Sequence, residues 1–325
     1  MGAYDYDNGS QRTCVTQRRM VYNYYYAEPT NGVAKQTALL LHGHGDYSYG
    51  WRYTIPVLLS HNIRCIVPDL LGFGASSKPV SRSMYRLKAM AQDMMEVLSH
   101  AGLADGDKFI VVGHDWGSQL ASRIMLHHEA RVSACVSITG TYIPPLQNKI
   151  TMNEFIQEHP NFSYWEFFSA ESTPSLLREK MPIFWNAVVR GAGEPVVPMS
   201  EIKPRLSTDR VSPDWLLKPQ IWADEDNENY LRTYWRGGWE APMNWYTAFL
   251  ENFEDEKELD HLAVVQTPFL TIIGKFDAAV PPEAADSTKG LLARSSTRVL
   301  SSGHWVAQED GVGLGTAIVE WLKTV

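Results

Sequence analysis

The sequence predicts an α/β protein: a mostly parallel sheet covered on both faces, with a helical lid inserted before the last strands. Three observations carry this expectation. Short apolar runs alternate with amphipathic stretches through the first half. The same alternation returns near the C-terminus. Between them lies a long stretch rich in aromatics and prolines with little strand pattern. Buried strands separated by helices are the signature of a sheet whose connections cross over its faces.

Taken in order, the strands expected are Thr37 to Leu41, Ile63 to Pro68, Phe109 to Gly113 and Val132 to Ile138. Met84 to His100 shows helical spacing, with Leu87, Met90, Ala91, Met94, Met95 and Leu98 three or four apart. Gln119 to His128 reads as another helix. Pro268 to Ile273 and Arg298 to Leu300 read as late strands, and Val312 to Leu322 as a terminal helix. This places a core at 1–143 and 253–325 and a lid at 144–252. Within the lid, Phe162, Tyr164, Trp165, Phe167 and Phe168 cluster near one end, and Tyr234, Trp235, Trp239, Trp245 and Tyr246 near the other. Pro195, Pro198, Pro204, Pro213 and Pro219 break the space between. The acidic run Glu251 to Asp260 reads as a solvated helix or hinge at the return to the core. The residues before Met20 have no evident task beyond covering the core or supporting a dimer.

Composition bounds the function. The 325 residues carry 29 Lys plus Arg against 37 Asp plus Glu, a net charge of −8, which argues against a nucleic-acid backbone binder, since that needs a basic surface. Cys14, Cys65 and Cys135 are odd in number and far apart, so neither a disulfide framework nor a zinc knuckle is expected. No apolar run approaches the ~20 residues of a membrane span, and Met1 to Arg12 is polar. A cytoplasmic protein, monomeric or homodimeric, is expected.

The chemistry-bearing segment is Val112-Gly113-His114-Asp115-Trp116-Gly117-Ser118, between an apolar strand and a helix. Its small residues and central reactive group have the spacing of a nucleophile elbow, with aspartate where serine is common. Backbone donors at a helix start keep such a carboxylate ionised. The alternative is that Asp115 only caps the helix. The loop Leu41-His42-Gly43-His44-Gly45 follows an earlier strand, so the N–H groups of His44 and Trp116 are candidates for an oxyanion hole. His42 reads as a brace for this loop. Asp277 and His304 each follow a late strand, in the chain order of an acid and base that complete a triad with Asp115. His42, His44 and His114 do not have the spacing of a common metal site.

These residues resemble the epoxide hydrolase family of the α/β-hydrolase fold. His42-Gly43-His44-Gly45 is similar to that family's oxyanion loop, Trp51-Arg52 to the segment after it, and Asp69 to Ser76 to its Asp-x-x-Gly-x-Gly-x-Ser loop. Gly113-His114-Asp115-Trp116-Gly117 is similar to its nucleophile motif. Phe162-Ser163-Tyr164-Trp165 and Asn244-Trp245-Tyr246 resemble its two lid segments, which implies that Tyr164 and Tyr246 activate the epoxide oxygen. The resemblance further implies attack by Asp115, an alkyl-enzyme ester, and hydrolysis by water activated at His304. No metal or organic cofactor is required. The aromatic lid points to a small apolar epoxide, with His42, Phe162, Trp165, Trp245 and Trp305 as candidate pocket residues. Two departures stand out. Gly45 replaces the usual proline, which is expected to loosen the loop. His44 stands where an apolar or aromatic residue is usual, which is expected to make the pocket more polar. A haloalkane dehalogenase shares the aspartate and histidine but needs no proton donor for its leaving group. A non-enzymatic ligand-binding protein on the same fold would favour an incomplete triad.

Overall fold

A computed structural model describes residues 2–6, 10–30, 33–194, 198–207, 221–280 and 289–325. Pro195, Pro213 and Pro219 lie outside the described residues. One eight-stranded sheet is built from β1 (Ser10–Val15), β2 (Val21–Ala27), β3 (Gln36–Leu41), β4 (Ile63–Pro68), β5 (Phe109–His114), β6 (Val132–Ile138), β7 (Phe269–Gly274) and β8 (Ser295–Leu300). The spatial order is β1-β2-β4-β3-β5-β6-β7-β8. From β4 to β8 every pairing is parallel. The predicted runs become strands because β5 and β7 are buried at every position, as a sheet covered on both faces requires.

The two faces separate by alternation. Leu39, Leu41 and Val111 face α2 (Leu87–His100 follows α1, Ile55–Ser60) and α3 (Trp116–His127). Leu40, Val112 and Ile272 face α1 and the C-terminal helix, whose Ile318 and Trp321 are buried there.

The N-terminal residues have a definite role. β1 pairs antiparallel with β2, Cys14 opposite Tyr22, and β2 pairs antiparallel with β4. The segment VYNYYYA hides as a strand because its tyrosines look half polar. Burial satisfies their hydroxyls: Tyr22 donates to Asp93 Oδ2 at 2.8 Å, and Tyr24 lies 2.9 Å from His100 Nδ1. Tyr6 donates to the Ser48 carbonyl at 2.6 Å, tying the first residues to the core.

Between β6 and β7 the chain forms α4 (Met152–Glu158), α5 (Tyr164–Ser169), α6 (Thr173–Val188), α7 (Met199–Leu206), α8 (Asp224–Gly237), α9 (Glu240–Ala248) and α10 (Phe253–Glu256). A capping box between Thr151 and Glu154 starts α4. The backbone of α6 departs from helical geometry at Lys180, just before Pro182, where a proline ring displaces the preceding turn. Past β8, α11 (Val306–Glu309) and α12 (Gly311–Leu322) close the fold.

A buried polar network fastens α8 to the core. Asp46 Oδ1 accepts from Tyr230 Oη at 2.8 Å, its Oδ2 from Gln308 Nε2 at 2.8 Å, and its carbonyl from Tyr234 Oη at 3.0 Å. Arg52 Nη2 donates to Asp226 Oδ2 at 2.9 Å, while Tyr49 Oη donates to Asp226 Oδ1 at 2.7 Å.

The acidic run departs from expectation. Glu256 is fully buried and grips the equally buried Arg123 of α3. Glu251 pairs with Arg82, Asp255 with Arg86, and Glu254 with Lys149 and Lys257. The run is thus a docking seam, because cations distant in sequence converge on it.

Candidate active site

The strand-to-helix turn after β5 presents Asp115 at φ 51° and ψ −118°, a conformation costing on the order of 1–3 kcal/mol for a residue with a Cβ. The flanking backbone must come close: a Cβ on Gly113 would stand 2.1 Å from the Gly117 carbonyl oxygen. Asp115 occupies the N-cap of α3, yet its side chain makes no capping bond. The carboxylate instead accepts the His44 N–H at Oδ1, at 2.8 Å, and its Oδ2 lies 3.8 Å from His304 Nε2. This geometry decides against a simple cap.

His304, after β8, turns Nδ1 to Asp277 Oδ2 at 3.0 Å. Asp277, after β7, is held in turn by the N–H groups of Ala279 at 2.8 Å and Val280 at 3.2 Å on its Oδ1. Burial works to raise the Asp277 pKa, but the His304 charge and these hydrogen bonds outweigh it and hold the carboxyl below its ordinary value. Burial alone would lower the His304 pKa. The carboxylates of Asp277 and Asp115 reverse that and push it up to about 9. His114 Nε2 lies 2.9 Å from the His304 carbonyl oxygen. Burial, aided by the His304 charge, brings its own pKa down to about 4, so it stays neutral. Glu309 was not foreseen. It accepts the N–H groups of Gly303 and Trp305 at 3.0 and 3.2 Å on Oε1 and thereby holds the backbone on either side of His304.

The His304 shift has a measurable consequence. An unfolded histidine titrates near 6.5. Because the folded value is higher, its contribution to stability is fully present below about 6.5 and is lost as pH rises through about 9. A proton-detected titration of the imidazole should show a midpoint near 9, moving down in Asp277→Asn. A wild-type midpoint at or below the unfolded value would contradict the arrangement.

Tyr164 opens α5 and Tyr246 lies in α9, and both line one cavity with His44, Asp115, Asp277 and His304. Burial, reinforced by the Asp115 charge, raises both phenols above their ordinary pKa, so both remain protonated donors. Trp305 also lines this cavity. Phe162 and Trp165 line a second cavity that shares Asp115 and Tyr164 and also includes Trp116. The Trp116 ring stacks on Trp165 at 4.8 Å, and its N–H sits in the first turn of α3 beside Asp115.

Two pocket expectations are corrected. His42 lines neither cavity, because both ring nitrogens are engaged: Nδ1 lies 2.9 Å from the Gly43 carbonyl, and Nε2 accepts the Leu70 N–H at 2.9 Å. It braces the loop. Trp245 also lines neither, since its indole N–H donates to the Leu71 carbonyl at 2.8 Å and its ring is buried behind Trp116. Lining residues not foreseen include Phe168, Phe184, Trp239 and Arg190. The aromatic density of the lid was the available signal for the first three. Nothing in the residue pattern marked Arg190.

Gly45 is set by the path of its loop. It has φ 81°, which proline cannot adopt, and a Cβ there would meet Trp305 Cη2 at 2.7 Å. Glycine is what the path of this loop under Trp305 requires. Among the described residues no cluster of three or more His, Cys, Asp or Glu is placed to hold a metal ion.

A family model described as the alpha/beta hydrolase fold matches residues 38–310. The chain belongs to the α/β-hydrolase fold family. This α/β-hydrolase is 29% identical over 300 residues to the epoxide hydrolase srdG of Neurospora crassa, covering 88% of this chain and 87% of the relative. It is 24% identical over 287 residues to the bifunctional epoxide hydrolase 2 of Sus scrofa, covering 88% of this chain but only 51% of that longer protein. In fold it is similar to an epoxide hydrolase from an endophytic Streptomyces, with a TM-score of 0.81 at 22% identity over 97% of this chain and 95% of that one. Among the described residues, no helix of this hydrolase is long and apolar enough to cross a membrane.

Proposed function

We propose that the protein is a cofactor-independent epoxide hydrolase that makes a vicinal diol through an ester on Asp115. The observation that carries this reading is one cavity. In it a carboxylate, held by an amide at one oxygen and facing a carboxylate-oriented histidine with the other, meets two protonated phenols. The core, taken as 1–143 and 253–325, supplies the triad. The lid, taken as 144–252, supplies the tyrosines.

An oxirane is strained but leaves a poor alkoxide. Asp115 Oδ2 attacks a ring carbon, the C–O bond opens, and Tyr164 or Tyr246 gives a proton to the departing oxygen. Esterification removes one of the two carboxylates that hold the proton on His304; the imidazole then releases that proton to solvent and is available as a base, and it regains a proton from solvent once Asp115 is a carboxylate again. It takes a proton from water, whose oxygen attacks the Asp115 carboxyl carbon. The tetrahedral oxyanion rests on the N–H groups of His44 and Trp116. Collapse expels the diol oxygen, which takes the proton back from His304. The second proton of water restores the tyrosine. A serine in place of Asp115 would form an ether with no carboxyl carbon to attack. The tyrosine pair favours an oxygen leaving group over a halide, which needs no proton, and the assembled acid–base pair disfavours a pure binding role.

Single turnover of an epoxide in 18O-labelled water tests the mechanism. The label should appear in Asp115 and the first diol should be unlabelled. Tyr164→Phe and Tyr246→Phe should each slow diol formation by roughly 10²–10⁴-fold, the loss of a general acid. Inactivity across aryl, terpenoid and fatty-acid epoxides beside turnover of haloalkanes would refute the reading.

A further inference from the structure

The carboxylate of Glu309 serves two parts of the molecule at once. Besides the N–H groups on either side of His304, its Oε2 accepts the N–H of Ala192 at 2.8 Å. Ala192 belongs to the lid, just past the end of α6 at Val188. The same Oε2 accepts the Gly303 N–H at 2.9 Å, so one oxygen joins the lid to the residue before the base. A second tie runs beside it: the Trp305 indole N–H donates to the Val188 carbonyl at 3.3 Å. The fit is close. A Cβ on Gly303 would stand 3.1 Å from Glu309 Oε1 and 3.4 Å from the Arg190 carbonyl oxygen.

Glu309 is itself fixed from behind. It ends α11, its own N–H donates to the Trp305 carbonyl at 2.9 Å, and the next residue, Asp310, caps α12 through the Gly313 N–H. Three N–H groups thus converge on a carboxylate with a rigid base, and hydrogen bonds to an ionised acceptor are the strong ones. None of these bonds runs to Asp115 or to the tyrosines. Tyr246 sits beside Trp245, whose indole has its own tie to Leu71, and the Phe168 ring lies 5.9 Å from Tyr164 and 4.8 Å from Tyr246.

We infer that Glu309 is a positioning residue for the ester-hydrolysis half of the reaction, holding the His304 backbone against both the core and the lid. This rests on the epoxide hydrolase reading and deepens it. The charge of Glu309 bears on the base as well. His304 faces Asp277 from the turn after β7, Asp115 and His114 from the turn after β5, and Glu309 from α11; the three carboxylates all favour its proton. Tyr164, Tyr246 and Arg190 share its cavity, the last paired with Glu194.

The test is single turnover of styrene oxide by rapid quench, with formation and decay of the ester followed by intact mass across pH. Glu309→Gln turns an NH2 toward N–H groups and removes the charge. Ester formation should stay within about 3-fold of wild type while decay slows by roughly 10-fold or more, the cost of a displaced base. The pH midpoint of decay should fall, because one anion that favours the His304 proton is gone. Glu309→Asp keeps the charge but cannot reach all three N–H groups, so decay should slow with the wild-type midpoint. A merely structural role would slow both steps alike. That result, or decay at the wild-type rate in a folded Glu309→Gln protein, overturns the inference. If Glu309→Gln does not fold, equal decay rates in wild type and Glu309→Asp overturn it. Wild type that forms neither ester nor diol refutes the hydrolase reading instead.

Discussion

Exchange of His304 for glutamine is expected to stop the reaction halfway. Asp115 would still be held by the His44 N–H and would still face the tyrosines, so the ester should form. Without the imidazole that Asp277 orients at 3.0 Å, no group remains to take a proton from water. Diol turnover should fall by roughly 10²–10⁴-fold or more. An intact-mass spectrum should show protein heavier by the mass of one substrate molecule, mapped to the Asp115 peptide. A folded His304→Gln protein with no adduct under single-turnover conditions would remove Asp115 as the nucleophile.

The largest effect on stability is expected at Glu256. Its carboxylate receives Arg123 Nε and Nη2, each at 2.8 Å, with both side chains almost wholly out of solvent. Glu256→Gln leaves a guanidinium buried without its counter-charge, at a cost of about 3–5 kcal/mol. Denaturant unfolding monitored by tryptophan fluorescence would measure it. The double replacement Arg123→Met with Glu256→Leu should recover most of the loss, because it removes both desolvated charges together. A Gln variant within about 0.5 kcal/mol of wild type would show that the pair carries no such weight.

The parts of the fold visible in the sequence are those where burial is two-sided. The strands β3 to β7 are near-continuous apolar runs because helices cover both faces. At the sheet edges this logic fails. β8 is partly exposed, and only its last three residues read as a strand. β2 is hidden because tyrosines whose hydroxyls find partners after folding look polar before it, and β1 because it is an edge strand whose only buried residue is Cys14. The order Asp115, Asp277, His304 was legible because each follows a strand end. Glu256 was not. A run of acidic residues reads as solvated until Arg123, distant in the chain, is known to stand over it. The same limit applies to His42 and Trp245: which way a side chain turns from a loop or helix depends on partners, here Leu70 and Leu71, that composition does not reveal.

Asp46 follows the His44–Gly45 loop directly and is clasped by Tyr230, Tyr234 and Gln308. Helix α8 therefore cannot swing away like a door without pulling on the loop whose amide holds Asp115. Two cavities share Asp115 and Tyr164 in their walls. While the clasp holds, the His44 amide keeps its place on Asp115 and the wall shared by both cavities is fixed.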